Sequence, residues 1–130
     1  MLDQFKLSGR SALVISGNRG LGIEVAKALA EAGASVAIAG RDSSKNEEAV
    51  ALEDAVGEGK VIDKSCDVTD AGQVEQIVGE VKSELGSVDI FINSAGIKIG
   101  GAIEEVTPED FRSVLDVDVT GTGLLVRPCL

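Results

Sequence analysis

The chain has 130 residues and a formal net charge of -10, from 12 basic and 22 acidic side chains. Its length suits one domain with a core of its own, and its acidity argues against a nucleic-acid partner, whose capture rests on neutralising phosphates. With 44% hydrophobic and 26% charged residues it reads as a folded globular chain, and with neither an apolar signal core in MLDQFKLSGR nor a run of ~18 apolar residues it is expected to be cytoplasmic, without a membrane partner.

Residues Ser11 to Ser16 (SALVIS) form a short apolar run that ends at a glycine-rich turn, the pattern of a buried parallel strand. Leu21, Val25, Ala28, Leu29 and Ala32 then recur at helical spacing, and Gly33 supplies the stop. Ser35 to Ala39 (SVAIA) is a second strand, closed by Gly40-Arg41. Asp42-Ser43-Ser44 offers N-cap candidates for a polar helix through about Val56, its outer face carrying Lys45, Glu47, Glu48 and Glu53, with Gly57 and Gly59 ending it.

Lys60 to Lys64 begins a third strand running toward Cys66-Asp67. A third helix places Val74, Ile77, Val78, Val81 and Leu85 on one face and ends at Gly86. Val88 to Ile92 is the fourth strand, leading into Asn93-Ser94-Ala95-Gly96 and a loop with further glycines at 100 and 101. Thr107-Pro108-Glu109-Asp110 marks a helix start, with Thr as N-cap, Pro at N1 and Asp at N3; Phe111, Val114, Leu115 and Val119 follow. Strands alternating with helices read as right-handed crossovers in one parallel sheet of Rossmann type, an α/β domain spanning 1–130.

Certain absences restrict the chemistry. Without histidine or tyrosine there is no Ser-His-Asp arrangement, no imidazole metal site and no phenolic proton donor; hydrolysis or acyl transfer with a histidine base is closed. No metal ligand set is expected. The two cysteines, Cys66 and Cys129, show no ligand spacing and read as reduced thiols.

Ser16-Gly17-Asn18-Arg19-Gly20-Leu21-Gly22 falls between the first strand and first helix, where a doubly wound fold binds phosphates. Glycines admit close approach of backbone to ligand, and the helix N-terminus offers unpaired N–H groups and a favourable dipole. At the end of the second strand, where an acid would read a free ribose 2'-hydroxyl, stand Gly40-Arg41 and then Asp42. Arg19 and Arg41 converging on a 2'-phosphate would favour NADP; Asp42 reading the hydroxyl would favour NAD; and both arginines also suit an ordinary surface. Asp67 suits an adenine amino group or the cap of the turn at Thr69-Asp70. Asn93 and Gly96 lie at the same carboxyl edge, and Asn93 also suits a brace between strands.

The ordered set Ser16-Gly17…Gly20-Leu21-Gly22, Cys66-Asp67-Val68, Asn93-Ser94-Ala95-Gly96 and Asp116-Val117-Asp118-Val119-Thr120-Gly121 resembles the classical short-chain dehydrogenase/reductase family, over its N-terminal, cofactor-binding half. The resemblance implies four strands in the order 3-2-1-4 with flanking helices. It implies pyrophosphate on Gly17, Asn18, Arg19, Gly20, Leu21 and Gly22, adenine at Asp67 and Val68, and a cofactor floor from Asn93, Ala95 and Gly96, with the cofactor NADP or NAD. The opening residues and Ala39-Gly40-Arg41 are similar to the branch that acts on sugars, sugar acids and related alcohols.

Three departures follow from the resemblance. The family's turn has one more residue between its first two glycines than Asn18-Arg19 supplies, which bears on cofactor affinity. Asp118 stands where the family's catalytic tetrad has an asparagine, and an ionised carboxylate has no donor to offer a proton relay; the plain reading is a solvated or helix-capping acid. The family's catalytic serine and Tyr-x-x-x-Lys pair have no counterparts here. The expectation is therefore an oxidoreductase's cofactor half, inactive alone, or a Rossmann-like module with weak or no cofactor affinity. Pro128 is expected to interrupt the last helix, as in a truncated product. Self-association is expected through an exposed sheet edge or that helix.

Overall fold

The computed structural model describes residues 2–16, 18–53 and 58–130. The expectations for Gly17, for residues 54–57 and for the side chain of Glu53 lie outside what it describes. Four strands, β1 (Ser11–Ile15), β2 (Ser35–Gly40), β3 (Val61–Ser65) and β4 (Ile90–Asn93), alternate with helices α1 (Gly20–Glu31), α2 (Ser43–Glu53) and α3 (Ala71–Leu85). After β4 a loop and a single 3-10 turn lead to α4 (Pro108–Leu115). A π-helical stretch (Asp116–Thr120) then carries the chain into α5 (Gly121–Cys129).

All strand pairs are parallel and the order is β3-β2-β1-β4, as the sequence implied. The order reverses at β1, whose neighbours β2 and β4 diverge to opposite edges, and a crevice opens at such a point. Along β1 the side chains alternate between two cores. Leu13 and Ile15 pack with Val74, Ile77, Val78 and Val81 of α3 and with Leu125 of α5. Ala12 and Val14 pack with Ala26 and Ala30 of α1, Val36 and Ile38 of β2 and Ala49 of α2. Each larger apolar side chain buried this way contributes roughly 1.5–3 kcal/mol, so the β1–β2 pair anchors both layers.

Helix ends follow their chemistry. Asp70 caps α3 by accepting from the Gln73 N–H, and Gly86, at φ 90°, takes the left-handed position that closes it. Thr107 and Asp110 form a reciprocal capping box at the start of α4. In α1 the buried face is Gly22, Ala26 and Ala30, not the expected row beginning at Leu21. Leu21 is 82% exposed. Small residues four apart let α1 lie close on the sheet, and the larger Val25 and Leu29 sit half-buried at its flanks.

Two further expectations are corrected. The fourth strand begins at Ile90 rather than Val88, because Asp89 turns aside to accept from the Ser11 N–H and the Ser87 hydroxyl, both at 2.8 Å. The last helix is not interrupted at Pro128 but runs on to Cys129. Pro128 lacks the N–H that would reach back to the Leu124 carbonyl, but with Cys129 alone following it in the helix there is little left to interrupt, and Lys82 Nζ donates to the Pro128 carbonyl at 2.8 Å. The π-helical stretch also changes the phase of this helix. Val117, Gly121 and Leu125 turn inward, while Phe111, Leu115 and Val119 stay exposed.

Candidate functional site

A cleft of about 520 Å³ opens at the carboxyl ends of the strands, lined on one side by Ser16, Asn18 and Arg19, on the second by Gly40, Arg41, Asp42 and Lys45, and floored by Cys66, Asp67 and Val68. Ala95, Gly96, Ile97 and Val117 close it from the β4 side. Of the expected site residues, the fold thus gathers Asn18, Arg19, Arg41, Asp67, Val68, Ala95 and Gly96 around one space. Gly20, Leu21, Gly22, Asn93 and Asp118 do not line it.

The chain enters the turn under strain. Ser16 has φ 61°, and among the described residues it alone adopts positive φ without being glycine. Gly20, at φ 56°, opens α1 where such a backbone is natural. Arg19 is the N-cap of α1, and among the described residues no side chain caps that terminus. The contrast with α2, α3 and α4 is direct, since Asp42, Asp70 and Thr107 each accept from an N–H of the first turn. The α1 terminus, whose N-cap Arg19 lines the cleft, therefore keeps a positive dipole end with no acid in its first turn.

Asp42 is committed elsewhere. It caps α2 through the Lys45 N–H at 3.2 Å and faces the Lys45 ammonium at 3.9 Å. Arg19, Arg41 and Lys45 thus place three cations on the cleft wall of a chain that is acidic overall. Lys45 was expected only on a solvated outer face.

For Asp67 the capping reading holds: its Oδ1 accepts from the Thr69 N–H at 2.9 Å and the Thr69 hydroxyl at 2.7 Å. Those bonds, with the Arg41 charge adding to them, hold its carboxyl below the ordinary range. Its second oxygen accepts no hydrogen bond among the described residues, which leaves it an acceptor at the cleft floor. Beside it, burial pushes the Cys66 thiol up to about 11, with Asp67 and Asp70 contributing. Cys66 and Cys129 are both free thiols, and Cys66 is an apolar floor element, not a nucleophile.

On the β4 side, Asn93 acts as a brace. Its Nδ2 donates to the Thr122 hydroxyl at 2.7 Å and its Oδ1 accepts from the Ala95 N–H at 3.0 Å. Thr122 in turn donates to the Asp118 carbonyl at 2.8 Å. The Asp118 Oδ1 accepts from the Ile97 N–H at 3.0 Å. Asp118 therefore fixes the Gly96-Ile97 loop to the π-helical stretch by acceptance alone, a task that needs no donor. A Cβ on Gly96 would lie 3.5 Å from this carboxylate.

Sequence reasoning missed Asn46 and Thr122. Asn46 is fully buried and touches both Asn18 and Gly40. A lone polar residue in a polar helix gives no sign that it faces inward. Among the described residues there is no group of three His, Cys, Asp or Glu side chains able to hold a metal ion, and no helix long and apolar enough to cross a membrane.

A doubly wound parallel sheet with a cation-lined cleft at its switch point defines a Rossmann-type domain. The family model for short chain dehydrogenases matches residues 10–130, and the chain belongs to that family. It is 36% identical over 122 residues to an uncharacterized oxidoreductase of Methylorubrum extorquens, covering 94% of this chain and 49% of that protein. It is 35% identical over 123 residues to a probable NADP-dependent mannitol dehydrogenase of Yarrowia lipolytica, covering 93% and 44%. A crystal structure of a dehydrogenase/reductase from Sinorhizobium meliloti superposes with a TM-score of 0.94 at 32% identity, covering 99% of this chain and 51% of that one. The chain spans about half the length of the curated relatives it matches.

Proposed function

We propose that this chain carries the cofactor-binding half of an NAD(P)(H)-dependent oxidoreductase that interconverts alcohols and carbonyls, and that it binds the dinucleotide without turnover when alone. The carrying observation is the N-terminus of α1, uncapped among the described residues, whose N-cap Arg19 lines a cleft walled also by Arg41 and Lys45. The first-turn N–H groups suit a pyrophosphate, and the free oxygen of Asp67 suits an adenine amino group. The bound nicotinamide would supply hydride chemistry. Asp118 and Asn93 act here by shaping the floor that the ring would face. Absence of turnover follows from the lack of any tyrosine or histidine to move the substrate proton.

NADP is preferred over NAD. With Asp42 held by the α2 cap and by Lys45, no free acid stands at the end of β2 to read a 2'-hydroxyl, while Arg41 and Arg19 offer guanidinium forks to a phosphate. A polyol, sugar acid or related alcohol as the whole protein's substrate is supported by the mannitol dehydrogenase relative. A cytoplasmic location belongs to the same proposal.

A second reading, a module with weak or no cofactor affinity, is favoured by Ser16. Its positive φ marks a turn pulled tight between β1 and α1, and such a residue costs of order 1–3 kcal/mol. Calorimetric titration of the folded chain with NADPH and NADH separates the two readings. Saturable binding, tighter for NADPH, is expected. Ser16→Gly, which removes the strain, is expected to tighten it further. Heatless titrations of a folded sample and of Ser16→Gly alike would establish the second reading.

We further propose that the chain forms homo-oligomers. Phe111, Leu115 and Val119 recur four residues apart on one exposed stripe, and β4 is an edge strand. Sedimentation velocity showing a monomer at all concentrations would refute this.

A further inference from the structure

The geometry assigns Asn46 as a positioning residue that clamps the three walls of the cleft together and so sets the spacing of its cations; this rests on the dinucleotide reading of that cleft. Asn46 sits in α2 with its side chain fully buried, although its neighbours Ser43, Ser44, Lys45, Glu47 and Glu48 in that helix are exposed. A helix position turned onto a sheet calls for an apolar residue, as Ala49 supplies one turn later. A buried amide there is tolerated only when its polar atoms are satisfied.

They are satisfied by three different segments. Asn46 Nδ2 donates to the Gly40 carbonyl at 3.2 Å and to the Lys64 carbonyl at 2.9 Å, joining the carboxyl ends of β2 and β3 to α2. Asn46 Oδ1 accepts from Asn18 Nδ2 at 2.7 Å, which brings in the glycine turn. Gly40 makes that meeting possible. A Cβ there would lie 2.8 Å from Asn18 Nδ2 and 2.9 Å from Asn46 Oδ1, closer than real Cβ atoms approach.

The consequence for the site lies in sequence neighbours. Asn18 precedes Arg19, Gly40 precedes Arg41, and Asn46 follows Lys45. Each member of the clamp thus has a cleft-lining cation beside it. Fixing the two amides over Gly40 fixes the relative positions of three side-chain origins that would converge on one phosphate group. The chemistry so selected is a phosphate monoester beside the adenosine ribose, as distinct from the pyrophosphate held by the α1 terminus.

The test uses Asn18→Ala, Asn46→Leu and the double variant of the full chain. One measurement, amide hydrogen exchange without ligand, is independent of the cofactor reading. Each single variant is expected to speed exchange in both segments 18–22 and 40–45 about five- to tenfold, the scale of one lost buried hydrogen bond. The double variant is expected to go little further than Asn46→Leu, because the bond is shared. Exchange in β1 and α3 should stay unchanged. Asn18 is only half-buried, so Asn18→Ala decides the matter even where Asn46→Leu fails to fold. An Asn18→Ala chain with unaltered exchange at 40–45 would overturn the clamp.

The other measurement is calorimetry with NADPH and NADH. Asn18→Ala is expected to weaken NADPH well beyond whatever it takes from NADH, so that most of the preference for NADPH is lost. A preference that persists, or an equal loss for both ligands, would overturn the role in spacing the cations. If the unaltered chain binds neither dinucleotide, the reading of the cleft has failed, and the exchange result still decides the clamp.

Discussion

The two sides of the sheet differ in how completely they are enclosed. On the β2 side, the residues of β1 are buried throughout, the interior of β2 likewise, and every buried amide atom of Asn46 has a partner. On the β4 side the strand is only half-buried along its whole length, and Phe111 and Val119 are 58% and 61% exposed. The first side is closed through β2, with β3 part-buried at its edge, and has the cleft at its end. The second is held by a thin polar relay, Asn93 to Thr122 to Asp118 to Ile97, laid over an open edge. The difference shows that the β2 side of this fold is assembled from local strand–helix units, whereas the β4 side has apolar surface to spare.

Stability measurements would sharpen that contrast most. Leu13→Ala removes a fully buried side chain shared by β1, α3 and α5 and is expected to cost about 2–5 kcal/mol in urea denaturation. Phe111→Ala, on the exposed stripe, is expected to change the same midpoint by less than about 0.5 kcal/mol. Comparable losses in the two variants would mean that the β4 side is enclosed in solution, as in an oligomer.

A smaller effect distinguishes the walls of the cleft. Arg41→Ala is expected to weaken NADPH by about tenfold or more, the scale of a charge-assisted hydrogen bond, and to leave NADH unchanged. An unchanged preference in calorimetry would return Arg41 to the ordinary surface.

The smallest expected effect concerns acid. The Ser11 N–H, then the Ser87 hydroxyl, with Arg10 adding its charge, hold the Asp89 carboxyl below the usual range. A carboxylate depressed in the folded state contributes stability that is present above its unfolded value, near 3.9, and is lost as pH falls through the folded one. Asp89→Asn should therefore flatten the acid limb of a stability–pH curve below about pH 4. A curve as steep as that of the unaltered chain would show that Asp67, Glu80 and the remaining acids carry that limb instead.

Much of this was legible in order along the chain. The apolar runs at 11–15 and 35–39 and the face of Val74, Ile77, Val78 and Val81 gave strands and helix directly, because one-dimensional periodicity reports which side is buried. Capping chemistry located the starts of α2 and α4. Periodicity failed where packing overrode size. In α1 the buried row is Gly22, Ala26 and Ala30, since close approach to the sheet selects small residues over Leu21. Past Leu115 periodicity offered no end to the helix, and there the π-helical stretch Asp116–Thr120 intervenes.

By itself, then, the sequence determined the parallel strand-helix alternation, through the spacing of apolar runs, and its motifs carried the family resemblance, which implied the strand order. It also named Arg19, Arg41 and Asp67 as residues of the cleft. Only the tertiary structure decided what each of them does there. Asp42 became a cap, Asp67 both a cap and a free acceptor, and Asn46 the tie between Asn18, Gly40 and Lys64. The reason is physical: a hydrogen bond between residues 28 apart in the chain leaves no trace in local spacing, because the crossover that joins its partners exists only once the sheet has formed.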